Sequence, residues 1–321
     1  MKRNFVMEPF GESKTMYEAY NEALVELAKE NSDIVVLYGD FPRGAVGDLF
    51  EKEFPDRLVD VGIAEANLIT TAAGMAGAGK IAFTHCHGIF AVGRAYNQIR
   101  QNVAFDWLNV KIVMCNSGML WAFMGGSHQI IEDIAALRAI PNLLLISPAD
   151  QVETRKAVRA ITKYEGPVAL RLANPPTPTI YTEDLPFELG KAVTVADGDD
   201  VTILATGIML PDSLQAVDIL AGEGVKARLL DMHTIKPIDE EAVLKAARET
   251  GAIVTVEDSS VLGGLGGAVA EIVTENRPVP VTRIGVRDRF GQSGTIAELK
   301  EEYQLTTGHI AGAVREVIKK K

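Results

Sequence analysis

Cysteine is nearly absent from this sequence. Cys86 and Cys115 are the only two in 321 residues, too few for a disulfide framework, so a reducing, cytoplasmic setting is expected. Long apolar runs are missing as well: none approaches the roughly 20 residues of a membrane span, and Met1-Lys2-Arg3-Asn4 leads into no signal-peptide core. Positive charge is in short supply, with 32 Lys and Arg against 43 Asp and Glu and a net charge of -11. That balance disfavours a nucleic-acid or anionic-membrane partner. Nucleotide loops are imitated but not completed. Gly74-Met75-Ala76-Gly77-Ala78-Gly79-Lys80-Ile81 puts Ile81 where a P-loop needs Ser or Thr for magnesium. Gly263-Gly264-Leu265-Gly266-Gly267-Ala268 has Val269 where the third glycine of a dinucleotide loop belongs, so close packing of the following helix is its expected role.

What is present is a repeating alternation. The length favours two domains. Apolar, β-rich runs at Ile34–Tyr38, Leu58–Val61, Ile81–Thr84, Val110–Met114, Leu143–Ile146 and Val168–Leu172 are separated by helical patterns such as Arg94–Phe105 and Gln151–Lys163. Uninterrupted apolar strands between helices predict a mostly parallel sheet covered on both faces. Asn174-Pro175-Pro176-Thr177-Pro178-Thr179 is too proline-rich for a helix or a central strand. The expected division is therefore a first domain at 1–175, a linker at 176–190 and a second domain at 191–321. The second half repeats the pattern, with strands expected at Val201–Ala205, Ala227–Leu230, Ile253–Val256 and Val281–Ile284. Its helices are expected near Ser213–Ala221, Glu240–Glu249, Gly267–Glu275 and Ile310–Lys319. Few polar residues converge there, so it reads as a scaffold or association domain. Asp197-Gly198-Asp199-Asp200 reads as a solvated hairpin.

Three stretches in the first half carry candidate chemistry. Asp60-Val61-Gly62-Ile63-Ala64-Glu65-Ala66-Asn67 joins a strand to a small-residue helix and sets Glu65 in its first turn. The carboxyl ends of strands in open α/β sheets are where ligands bind, although an acidic residue at a helix start also serves the dipole alone. His85-Cys86-His87 is the most metal-like cluster, but alternation in a strand puts His85 and His87 on one face and a zinc site needs further ligands. Ser127 is a candidate cap for the helical run after Gly125-Gly126-Ser127-His128-Gln129, which would leave His128 in the first helical turn at the same sheet edge.

With these residues in hand, the chain resembles the transketolase family, and within it the separate C-terminal subunit of split transketolases. The resemblance runs through Val61–Asn67, Gly93-Arg94-Ala95-Tyr96-Asn97-Gln98-Ile99-Arg100, Ser127–Ile134, Leu137-Arg138-Ala139-Ile140-Pro141-Asn142-Leu143, Pro148-Ala149-Asp150 and Met232–Asp239. It implies two consecutive α/β domains, a pyrimidine-binding fold followed by a transketolase C-terminal domain. It also implies thiamine diphosphate, held between this chain and a separate diphosphate-binding subunit in an α2β2 complex. No Gly-Asp-Gly…Asn magnesium motif occurs here, so Mg2+ is expected on the partner and no metal ligand in this chain. The family's roles fall on Glu65, which would hydrogen-bond the aminopyrimidine, on Asp40 near the thiazolium, on Phe90 lining the pyrimidine pocket, and on His128 at the substrate hydroxyls.

Departures from the family point to the substrate. His87 stands where split transketolases carry a phenylalanine that stacks on the pyrimidine. Asn116 replaces a sugar-phosphate-binding histidine, Met124 a substrate-binding aspartate, and Asn174 a phosphate-binding arginine, with Tyr17 near the place of another phosphate ligand. The expected activity is two-carbon ketol transfer on an atypical substrate. The alternatives are a beta subunit of a 2-oxo acid or acyloin dehydrogenase complex, which shares the two-domain plan, and a non-catalytic association subunit.

Overall fold

The computed structural model describes residues 2–8, 10–39 and 48–321. Strands follow in chain order as β1 (Ser13–Lys14), β2 (Ile34–Tyr38), β3 (Leu58–Asp60), β4 (Ile81–His87), β5 (Val110–Cys115), β6 (Leu144–Ile146), β7 (Val168–Leu172), β8 (Thr177–Pro178), β9 (Val193–Ala196), β10 (Val201–Ala205), β11 (Ala227–Asp231), β12 (Thr234–Lys236), β13 (Ile253–Ser260) and β14 (Val281–Val286). Seven form one sheet in the order β12-β6-β7-β5-β4-β2-β3, and five form a second, β14-β13-β10-β11-β9. All pairings in the first sheet are parallel except that of β12 with β6, and in the second all but that of β11 with β9. Burial on both faces explains the unbroken apolar strands: β2, β5, β7 and β10 are buried along their whole length.

The helices take their ends from local chemistry. Asp150 caps Gln151–Lys163 by accepting from the Glu153 N–H at 2.9 Å, and Asp239 caps Glu240–Thr250 by accepting from Ala242. Glycines 264 and 266 open Leu265–Asn276 against a buried carboxylate. Glu257 accepts the N–H groups of Leu265 at 2.9 Å and Gly266 at 2.8 Å, and a Cβ on Gly264 would lie 2.0 Å from its Oε2. That contact is the close packing expected of this glycine run.

Several expectations need correction. The helix expected at Arg94–Phe105 begins at Gly88, kinks at Ala95 and widens into a π-turn over Ile99–Ala104. Asp197–Asp200 is no hairpin, because β9 pairs with β11 and β10 lies beyond it. The second half is also richer in buried polar groups than its sequence suggested, and they gather where the halves meet. Asp231 accepts from the Tyr181 hydroxyl at 2.6 Å, and burial pushes its carboxyl up to about 7. Arg171, in the middle of β7, donates from Nε to Asp133 and from Nη1 to Asp258 of β13, each at 2.6 Å and all fully buried.

Structural continuity crosses the proline-rich segment. β12 lies in the second half of the chain yet is the edge strand of the first sheet. Lys236 on it donates through Nζ to the carbonyls of Arg138, at 2.8 Å, and Ile140. The N-terminal segment turns the other way, with Asn4 donating to the Val195 carbonyl at 2.9 Å. One buried apolar cluster accordingly runs from Met16 and Val36 through Leu172 to Val195, Ile203 and Val317. Among the described residues, no helix is long and apolar enough to cross a membrane.

Candidate active site

The turn after β3 delivers Glu65. The Asp60 carboxylate accepts the Gly62 N–H at 2.8 Å, and Gly62 takes a left-handed φ of 70°. Gly39 passes so close that a Cβ there would lie 2.8 Å from the Gly62 carbonyl oxygen. Ile63 points outward, 75% exposed, whereas Glu65 is the first residue of helix Glu65–Gly77 and only 4% exposed. The Arg94 Nε lies 3.1 Å from its Oε2, but without hydrogen-bond alignment, so that buried oxygen has no hydrogen-bond partner among the described residues. On β4, burial and then the Glu65 charge push the Cys86 thiol up to about 12.

The two histidines of β4 part company. His85 is buried, and its Nε2 meets the Tyr20 hydroxyl at 2.6 Å. His87, at the strand's end, meets the side chain of Asn116 through Nδ1 at 2.7 Å. Among the described residues no cluster of three or more His, Cys, Asp or Glu could hold a metal ion.

Beyond β5 the chain crosses a left-handed Asn116 (φ 57°) into the loop that carries Trp121 and His128. Four rings meet there. His87 stacks on Trp121 at 4.6 Å and 27°, and His128 stands edge-on to Trp121 at 5.3 Å and to Phe90 at 5.5 Å. Phe90 and Arg94 are four residues apart on helix Gly88–Gln98, so one helix reaches both the ring cluster and Glu65. Asn174 joins the group by donating to the Asn116 Oδ1 at 2.8 Å, as does the Tyr17 hydroxyl at 2.6 Å.

The structure thus brings together His87, Phe90, Asn116, His128 and Asn174, with Glu65 reached through the helix. Met124 is partly buried in the turn Ala122–Met124 and its neighbour Phe123 is 70% exposed, so this part of the loop is an apolar surface. Asp40 lies outside the described residues. Ser127 does not cap the next helix, which starts at Asp133. Its hydroxyl meets His128 Nδ1 at 2.9 Å instead, and His128 sits in the preceding turn. The second half braces this loop, with the Gln129 side chain donating to the Gln292 carbonyl at 3.1 Å and Met119 N–H to the Asp258 carbonyl at 2.9 Å.

Sequence reasoning missed Trp121 as the ring covering His87, Arg94 beside Glu65, and the Arg171 ion cluster. An arginine amid Val168-Ala169-Leu170 and Leu172 was the available signal, since a charge in a buried strand is rare unless paired.

Two consecutive α/β units set a buried carboxylate and a ring cluster at the carboxyl edge of the first sheet, the edge at which open α/β sheets bind ligands. Family models extend this across the chain: the transketolase pyrimidine binding domain matches residues 12–178 and the transketolase C-terminal domain residues 190–310. The chain belongs to the transketolase family. It is 44% identical over 310 residues to the 6-deoxy-6-sulfo-D-fructose transketolase subunit SqwH of Clostridium sp. (strain MSTE9), covering 97% of this chain and 96% of that one. It is 40% identical over 306 residues to an apulose-4-phosphate transketolase subunit of Phocaeicola vulgatus, covering 94% and 97%. A solved split gene transketolase in the form of an inactive beta4 tetramer matches with a TM-score of 0.90 and 44% identity, over 96% of this chain and 99% of that chain.

Proposed function

We propose that this chain is the pyrimidine-binding subunit of a thiamine diphosphate-dependent transketolase-like enzyme that transfers a two-carbon ketol unit. The observation that carries this reading is the buried Glu65 Oε2, which has no hydrogen-bond partner among the described residues. A buried acceptor without a hydrogen bond is costly unless a ligand supplies the donor, and a ring N–H of an aminopyrimidine is such a donor. Once bound, the cofactor supplies carbanion stabilisation, and the protein supplies orientation and a dry site. Glu65 would accept the ring N–H, Phe90 and His87 would line the pyrimidine pocket, and Asp40 would lie near the thiazolium. His128 would reach the substrate hydroxyls, beside Asn116, Asn174 and Met124.

Magnesium and the diphosphate fall to a separate subunit, in an α2β2 complex in the cytoplasm. Within this chain, residues 1–175 would form the pyrimidine domain, 176–190 the linker and 191–321 the C-terminal domain. The full chain purified alone should therefore bind thiamine diphosphate weakly, and addition of the partner should make binding tight and magnesium-dependent in titration calorimetry. Tight, magnesium-dependent binding by this chain alone would defeat the reading.

Among the described residues, Asn116, Met124 and Asn174 bring no charge to the place where a sugar phosphate would bring about two negative charges, which proteins usually meet with Arg, His or a helix N-terminus. Asn116 and Asn174 hydrogen-bond each other instead. The assembled enzyme should prefer a non-phosphorylated acceptor, measured as specificity constants for matched phosphorylated and unphosphorylated aldehydes. Arg43, like Asp40, lies outside the described residues and is the nearby cation in sequence. A strong preference for the phosphorylated member that survives Arg43→Ala would move phosphate recognition off this subunit.

A further inference from the structure

The loop that carries Trp121 and His128 is held by the second half of the chain in two places, at its base and again beside His128. At the base, the bridge between Gly118 and Ile130 draws the ends of the loop together. β13 makes one bond to each end: Met119 N–H donates to the Asp258 carbonyl at 2.9 Å, and Ser260 N–H donates to the Ile131 carbonyl at 2.6 Å. Beside His128, residues 291–294 lie against the turn over residues 125–129. The Gly125 carbonyl accepts the N–H groups of both His128 and Gln129 at 3.0 Å, so this turn moves as one body. The buried Gln129 side chain fastens it, donating from Nε2 to the carbonyls of Gln292 at 3.1 Å, Ala122 at 3.4 Å and Trp121 at 3.5 Å. Gly294 N–H adds a bond to the Ala122 carbonyl at 3.3 Å. The approach leaves no room for side chains. A Cβ on Gly126 would lie 2.6 Å from the Gly291 carbonyl oxygen, and one on Gly291 would lie 1.7 Å from Gln129 Oε1 and 2.8 Å from its Cδ.

We propose that Gly291, acting through Gln129, is a positioning residue of the acceptor site: it seats the His128 turn on the second half of the chain and so fixes where the His128 ring stands. The role rests on the reading of His128 as the residue that reaches the substrate hydroxyls. Gln129 follows His128 directly, and its three carbonyl partners tie it both to the Trp121 side of the loop and to residue 292. A side chain pressing on Gln129 therefore shifts His128 and Trp121 together, whose rings stand edge-on at 5.3 Å. Displacements of about 1 Å in such a site cost up to roughly 100-fold in rate. Glu65 is set by a different element, the start of helix Glu65–Gly77 after β3, so the cofactor contact is spared. In this arrangement the second half does more than associate: it supplies part of the geometry of the site.

The seating is tested by fluorescence of the full chain. It contains two tryptophans, so Trp107→Phe leaves Trp121 as the single fluorophore. Trp121 is 7% exposed, and acrylamide should quench it weakly. Adding Gly291→Ala should raise the quenching severalfold at an unchanged circular-dichroism spectrum, and unchanged quenching would overturn the proposal. In the complex with the partner subunit, Gly291→Ala should raise KM for D-glyceraldehyde, or for its 3-phosphate if that is the aldehyde used, about tenfold. The change in kcat should be smaller and the affinity for thiamine diphosphate unchanged. An unchanged KM, or an equal loss of cofactor affinity, would overturn the role. Gln129→Ala removes both atoms that the new Cβ meets first, so the double variant should match Gln129→Ala alone. Effects that multiply in the double variant, or a double variant that fails to fold where Gln129→Ala folds, would show that Gly291 does not act through Gln129 and would overturn the proposal as well. A wild-type complex that transfers no ketol unit to either aldehyde would instead overturn the functional reading and the role of His128 with it, while the quenching still judges whether Gly291 seats the loop.

Discussion

Turnover of the assembled enzyme should fall by roughly two or more orders of magnitude when Glu65 is replaced by glutamine. The substitution keeps the size of the side chain and one carbonyl oxygen but removes the charge from a site that is 4% exposed. In such a site a charge-assisted bond is worth more than its neutral counterpart, because water does not compete for it. Arg94 is a poor substitute for that role. Its side chain is 66% exposed, and its contact with Glu65 is of the surface kind, worth about 1 kcal/mol or less, so Arg94→Ala should be mild by comparison. Assembly is checked by sedimentation before the kinetics. A Glu65→Gln complex that sediments normally and turns over at a near-native rate would make Glu65 merely a helix-start acid.

The second large effect is on stability. Arg171→Met should destabilise the full chain by about 3–5 kcal/mol, the usual result of stranding buried charge by removing one partner. Arg171 holds two carboxylates in a fully buried site, and its Nη2 and the Asp258 Oδ2 have no hydrogen-bond partner among the described residues. Asp133 shows the tension: burial raises its carboxyl, opposed by Arg171. The triple change Arg171→Met, Asp133→Asn and Asp258→Asn should recover much of the loss, since it strands no charge. Denaturant unfolding of the three proteins gives the comparison. A single variant that loses less than about 1 kcal/mol would show that the cluster holds little together.

Legibility from sequence tracked the kind of information each feature needs. The parallel sheets were readable because Ile34-Val35-Val36-Leu37-Tyr38 and Val168–Leu172 are buried on both faces, and that burial is written as unbroken apolar residues. Val201–Ala205 and Gln151–Lys163 have the bounds their patterns predict. β12 escaped because three residues, one of them a lysine, carry no periodicity, and their pairing with β6 is a long-range event. Ser127 was misread for a related reason. A cap-like residue before an apolar run is a local signal, and the bridge between Gly118 and Ile130 defers the helix to Asp133. In the candidate site, Glu65 and His128 were singled out through family motifs, and their roles belong to the proposal. The Asn174–Asn116–His87 contacts were not, because the three residues come from separate sheet-edge segments that only the fold brings together.

The exchange of β12 into the first sheet gives the proline-rich stretch an unexpected character. A protease nick within it would not release two self-sufficient pieces. The first piece would be left with β6 as a raw edge, its ladder groups open to any passing strand, and with Arg171 facing Asp133 without Asp258. The second would carry a three-residue strand with nothing to pair against. A nicked chain should therefore travel as one body and unfold as one, and attempts to express either half separately should yield aggregates. In this protein the visible seam in the sequence is a fold line within a single object, and the places to cut it lie elsewhere.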